Sequence, residues 1–282
     1  MKSDKYGVPE IFEENVKGNL SYLYQDIQYV LKVPIVNFIF RTTALYEAFL
    51  QLAWSQVRPS MLTSNMENAA SEIRNPKLGV DMPTINWSNH YDQATIEKIK
   101  KIIFTFNYVN SKLLIIASAW SESLSNRTIH GGNQISGYIQ PGILPGLPKI
   151  NLIKIESAPK EVKGLLLDIA KTHHTYDVAS DYRALGRYPV FLRKSWSHLK
   201  EYIGTDSYQL LSTQLKKQSI NLAHQMPFPV TINRSLLSQC YSPKDIAGIM
   251  GVISMFQQFL PPLIIDGEFF RMMLTGKELD GK

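Results

Sequence analysis

The chain has 282 residues, 44% hydrophobic and 19% charged, which is ordinary for a globular protein with a sizeable core. Its 30 Lys and Arg against 24 Asp and Glu leave a net charge of +6, without a dense basic block, so nucleic acid is not an expected partner and a mild positive field would favour small anions. No run of about 18 consecutive apolar residues occurs, and the opening Met1-Lys2-Ser3-Asp4-Lys5-Tyr6 lacks an apolar signal core; no membrane partner is expected and a cytoplasmic location is the default.

In chain order, the first block is Val16-Lys17-Gly18-Asn19-Leu20, followed by Tyr46, Phe49, Leu50 and Trp54 at helical spacing. Ile96, Ile99, Ile103 and Phe106 recur every three or four residues, with Lys98, Lys100 and Lys101 on other faces. This predicts an amphipathic helix with a solvated basic side. Residues 126–160 change texture: five glycines, from Gly131 to Gly146, and four prolines, from Pro141 to Pro159 with Pro145 and Pro148 between, prevent a long helix. Ile143, Leu144, Leu147, Ile150 and Leu152 in the same stretch predict an ordered strap.

Beyond the strap the first blocks return. Val162-Lys163-Gly164-Leu165-Leu166 answers Val16 to Leu20 at an offset of 146. Tyr188, Phe191, Leu192 and Trp196 answer Tyr46 to Trp54 at 142. Ile246, Ile249, Ile253, Phe256, Leu263 and Ile265 answer Ile96, Ile99, Ile103, Phe106, Leu113 and Ile115 at 150. Three blocks in one order with drifting offsets are the mark of a duplicated unit. The predicted fold is all-α: a helical repeat over 1–125, a connecting strap over 126–160 and a second helical repeat over 161–282, related by a pseudo-twofold axis. The aromatic stripes read as core. The single Cys240 rules out an intrachain disulfide and a Cys-rich zinc site and is expected to be a buried small hydrophobe. Adjacent His173 and His174 diverge by about 100° on a helix, so no metal site is expected.

The repeat also singles out polar residues present in one copy alone. At an offset of 146, Asp181 falls opposite Ile35 and Ala184 opposite Phe38; at 150, Asn110 falls opposite Leu260 and Asn107 opposite Gln257. Asp181 lies in Val178-Ala179-Ser180-Asp181-Tyr182-Arg183-Ala184-Leu185, which reads as a short helix ending before Pro189. Locally it could be a mere first-turn acid. Facing Ile35 and Phe38 across a pseudo-twofold axis, it would instead be a carboxylate with apolar walls and raised basicity. Tyr108, beside Asn110, is either a core aromatic or a pocket wall.

These residues resemble the group I 2-haloacid dehalogenases, which act on both enantiomers of 2-haloalkanoic acids. The likeness rests on Asp26-Ile27 with Leu31-Lys32-Val33-Pro34, Leu52-Ala53-Trp54, Phe106-Asn107-Tyr108 with Asn110, Ser121-Glu122-Ser123, Val162 with Gly164-Leu165-Leu166, and Ala179-Ser180-Asp181 with Ala184-Leu185. It runs in order from roughly residue 10 to 265. The resemblance implies a cofactor-independent hydrolase with its site between two helical halves. There Asp181 activates a water that displaces halide from C2 directly, with inversion, and Asn110 helps hold that water. It further implies that Ser180 and Phe38 line the substrate site, that Thr63 and Glu67 matter to it, and that Ile35 occupies a wall position able to carry a large aromatic. The expected ligand is a small anionic 2-haloalkanoate, and a homodimer is a compatible assembly. Two rival readings are another hydrolase of small carboxylic acids on this scaffold, and a non-catalytic helical ligand-binding or interaction protein. The second predicts Asp181 exposed or salt-bridged to Arg183 or Arg187 with no pocket behind it.

Overall fold

The computed structural model describes residues 7–276, so the opening Met1 to Tyr6 lies outside the described residues. Eleven α-helices are described: α1 (Asn19–Leu31), α2 (Phe38–Thr43), α3 (Glu47–Met61), α4 (Ser64–Arg74), α5 (Gln93–Leu124), α6 (Lys160–Thr172), α7 (Ser180–Leu185), α8 (Pro189–Ile203), α9 (Asp206–His224), α10 (Arg234–Leu237) and α11 (Pro243–Thr275). Among the described residues no strand forms; Thr63 with Tyr138 and Ile129 with Val230 make isolated bridges only. The chain is all-helical.

Two long helices, α5 and α11, lie against each other at the centre, and α9 packs on both. Each starts at a side-chain cap: Asp92 accepts from the Thr95 N–H at 2.7 Å, and Ser242 forms a capping box with Asp245. From Thr105 to Trp120 every residue of α5 is buried. The Ile96-to-Phe106 stripe is thus only the exposed end of a helix that becomes buried all round. Both helices are long and apolar enough to cross a membrane by length and composition, a property that counting unbroken apolar runs missed; here they form the interior, α5 almost wholly enclosed.

The connections around them recur in matching pairs. Trp54 donates its Nε1–H to Asp26 at 2.7 Å, and Trp196 does the same to Asp168 at 2.8 Å. The Phe49 N–H donates to the Tyr241 hydroxyl at 2.9 Å, and the Phe191 N–H to the Tyr91 hydroxyl at 3.0 Å. Short α2 packs on α11, while short α7 packs on α5. Both ends of α7 sit 142 positions after those of α2 (Ser180 against Phe38, Leu185 against Thr43). By these helix ends the position that matches Asp181 is Ile39, not the expected Ile35, while Ser180 matches Phe38 and Arg183 matches Arg41. Asp26 on α1 and Asp168 on α6, the two tryptophan acceptors, are also 142 positions apart, so this offset already holds before α2 begins.

Residues 125–159 hold no helix. They are tied first to the N-terminal part, where Gly142 N–H donates to Tyr29 O at 2.8 Å and Leu144 N–H to Lys32 O at 3.0 Å, and then to α7, where Ile153 N–H donates to Arg183 O at 3.1 Å. Ile150 is buried, whereas Ile143 is exposed. Cys240 is exposed, against the expectation of a buried thiol; it follows α10 in the turn before α11, where Leu237 supplies the inward side chain.

Candidate active site

The backbone is extended at Ala179, which caps α7, so Ser180 and Asp181 are the first two helical residues. Packing of α7 on α5 carries both into the interior. Asp181 is 8% exposed. Asn110, midway along α5, donates its Nδ2–H to Asp181 Oδ2 at 2.8 Å. Burial in these apolar surroundings pushes the Asp181 carboxyl up to about 7, against the lowering pull of the Asn110 hydrogen bond and with a further push from the Asp266 charge. A carboxyl poised there can take a proton near neutral pH.

Two small cavities touch Asp181. The first, about 20 Å³, is bounded by Phe38, Asn110, Ser180, Phe259 and Leu260. Phe38 meets Phe256 edge-on with ring centroids 5.2 Å apart. Phe38 and Phe259 also wall a surface cavity of about 180 Å³ that runs past His173 and Asp177, which places the first cavity beneath an outer vestibule. The second cavity, about 10 Å³, is bounded by Asn107, Tyr182, Leu263 and Asp266.

Ser180 is anchored from the other end of the chain. Arg41, on α2, donates to its hydroxyl oxygen at 2.9 Å. Arg41 also donates to the Val36 carbonyl and pairs with Glu10 at 2.6 Å, while Arg183 pairs with the other Glu10 oxygen at 3.0 Å. Both guanidiniums stand over the Phe12 ring, at 5.2 and 5.5 Å from its centroid. The salt bridge from Asp181 to Arg183 that a non-catalytic protein would show is not what forms: Arg183 is engaged by Glu10 and the Ile153 carbonyl.

Of the expected site residues, the structure brings Asp181, Asn110, Ser180 and Phe38 together. Ile35 is buried in the core but lines neither cavity at Asp181. Thr63, Glu67 and Tyr108 form a second cluster. The Thr63 hydroxyl caps α4, donating to Ser60 O at 2.7 Å and accepting from the Met66 N–H. Thr205 caps α9 in the same way, which marks that hydroxyl as framework. Glu67 accepts from the Tyr108 hydroxyl at 2.8 Å and pairs with Lys112 at 2.7 Å and Arg74 at 2.9 Å. Those three donors hold its carboxyl down at about 2 despite burial. Tyr108 points to Glu67 because it lies two residues from Asn110, roughly 160–200° round the helix.

Sequence reasoning missed Asp266, on α11, which accepts from the Tyr182 hydroxyl at 2.6 Å and the Tyr208 hydroxyl at 2.9 Å, with His173 Nε2 at 3.2 Å. Its signal was an acid inside the apolar run Leu263-Ile264-Ile265-Asp266-Gly267. Arg41 was missed too, although it answers Arg183 at 142.

A family model described as halocarboxylic acid dehydrogenase DehI matches residues 34–182, the span from α2 through Asp181. A configuration-inverting 2-haloacid dehalogenase of Alcaligenes xylosoxydans xylosoxydans is 30% identical over 97% of this chain and 96% of its own. The chain belongs to the DehI family. A relative in Pseudomonas putida, an (R)-2-haloacid dehalogenase, is 27% identical over 92% of this chain and 90% of its own. Among solved structures, a D-2-haloacid dehalogenase in complex with L-LA superposes with a TM-score of 0.88 at 25% identity, covering 96% of this chain and 98% of that one.

Proposed function

We propose that this DehI-family protein hydrolyses small 2-haloalkanoic acids to 2-hydroxy acids, with inversion at C2. The observation that carries the reading is a buried carboxylate, Asp181, held by Asn110 where two small cavities reach it. The substrate carboxylate sits toward Ser180 and the halogen toward the edges of Phe38 and Phe256. A water attacks C2 from behind the C–halogen bond. Its oxygen bonds to carbon as halide departs with the bonding pair, and its proton passes to Asp181. Asp181 then returns that proton to solvent. No cofactor enters this scheme.

The finer organisation belongs to the same proposal. The paired Trp–Asp and Tyr–backbone hydrogen bonds support two helical repeats, 1–125 and 161–282, joined by the strap 126–160 and related by a pseudo-twofold axis. Only the second repeat carries the acid. The (R)-specific relative and the D-2-haloacid structure support acceptance of the D enantiomer. Halide release from D- and L-2-chloropropionate decides whether the L form is a substrate as well. Direct attack predicts that a single turnover in oxygen-18 water puts the label in the hydroxy acid; label in the Asp181 carboxylate overturns it.

A further inference from the structure

Asn107 is left unused by the scheme above. It stands one turn before Asn110 on α5, so the two amides leave the same side of the helix. Its side chain is buried, at 4% exposure, and among the described residues neither its Nδ2 nor its Oδ1 has a hydrogen-bond partner. An unpaired buried amide is costly to a fold and calls for a guest. The opposing helix leaves room for it: a methyl added at Gly267 on α11 would collide with Asn107 Oδ1.

Two cavities meet at this amide. One is the 10 Å³ space shared with Asp181 and Asp266. The other is an outer cavity of about 320 Å³ edged by Arg74, Lys100 and Arg271. Asn107 and Ile103 wall both, so the inner space adjoins the outer cavity there, on a side away from Phe38 and Phe259. The inner space suits one water, which needs two to four polar partners. Asp181, Asp266 and the Asn107 amide supply them. A halide or a substrate carboxylate does not suit it, because Asp181 and Asp266 would repel either.

We infer that Asn107 is a water-holding residue: its amide keeps, against Asp181, the water that each turnover consumes. The substrate fills the Ser180 side and closes it, and the next water arrives past Asn107. This inference rests on the proposed role of Asp181.

The test compares Asn107→Leu and Asn107→Ser with wild type and with Asp181→Asn, by steady-state halide release and thermal melting. Asn107→Leu is expected to lower kcat by about 100-fold, as a misplaced reactant would, while KM stays within about twofold because the residue does not wall the substrate side. Its melting temperature holds or rises, since an unpaired amide has been removed. Asn107→Ser, which keeps a hydroxyl able to hold water, is expected to recover part of kcat. A wild-type kcat in Asn107→Leu overturns the inference, as does a raised KM at unchanged kcat. A lowered melting temperature with kcat intact in both variants would show a structural role instead. If Asp181→Asn is inactive while Asn107→Leu is fully active, only this inference falls; if Asp181→Asn is active, the reading beneath it falls.

Discussion

Arg41 donates to the hydroxyl oxygen of Ser180 at 2.9 Å, so a guanidinium from α2 occupies a lone pair of a side chain on α7. The Ser180 hydrogen is thereby left for another acceptor, and the carboxylate of a 2-haloacid is the natural one. Ser180→Ala is expected to raise KM by about 10-fold or more, the worth of a hydrogen bond to a charged group, with a smaller effect on kcat. Initial-rate kinetics check this; an unchanged KM would place the substrate carboxylate elsewhere.

Activity should depend on the ionised form of Asp181, whose pKa burial pushes up to about 7. The ratio kcat/KM is expected to climb with pH and level off above about 7. Stability has the opposite sign. An acid whose folded pKa exceeds its unfolded value near 3.8 stabilises the fold fully below that value, and the contribution is lost as pH rises through about 7. Asp181→Asn should therefore gain urea resistance over wild type at pH 8 and much less at pH 4. Equal gains at both pH values would show that the carboxyl is not perturbed.

Glu10 sits between two buried guanidiniums, Arg41 and Arg183. Neutralising it leaves two cations out of water without their acid. Glu10→Gln is expected to destabilise by about 3–5 kcal/mol, the range for breaking a buried ion pair. Glu161, paired with Arg193 on the surface, is the control, and Glu161→Gln should leave the urea midpoint where it was. Equal midpoints for the two variants would remove the Glu10 cluster from the account of the fold.

Phe38 separates the 20 Å³ cavity at Asp181 from the 180 Å³ vestibule. Phe38→Ala should join them and admit longer chains. One methylene in an apolar pocket is worth about 1–3 kcal/mol, so the kcat/KM ratio of 2-bromobutanoate to 2-bromopropanoate is expected to rise by about 10-fold. A ratio that stays put would mean that Phe38 does not limit substrate length.

The helices were legible because spacing alone reports which faces are apolar, and α5, α8 and α11 follow their stripes. Asp181 and Asn110 stood out as polar residues lacking a polar counterpart in the matching sequence block, and the family likeness named them as a pair. Alignment by blocks failed at Ile35, because the offset changes in loops whose lengths carry no periodic signal; helix ends were needed to set Asp181 against Ile39. Thr63 and Glu67 were legible as residues one turn apart but not as to where they point. Two partners of Glu67, Lys112 and Tyr108, come from another helix. Glu10 was invisible for a related reason. Nothing in a local stretch says that one acid will meet two arginines 31 and 173 positions away.

The two tyrosine clasps bear on how such a chain comes apart. Tyr241 satisfies a backbone donor at the start of α3, and Tyr91 satisfies one at the start of α8. Each helix is thus finished by a side chain 100 or more positions away in the chain. A polypeptide stopped near residue 125 would carry an open helix end at Phe49 and a bare apolar flank on α5. Melting should consequently be a single cooperative event, and protease nicks in the strap should leave both fragments associated.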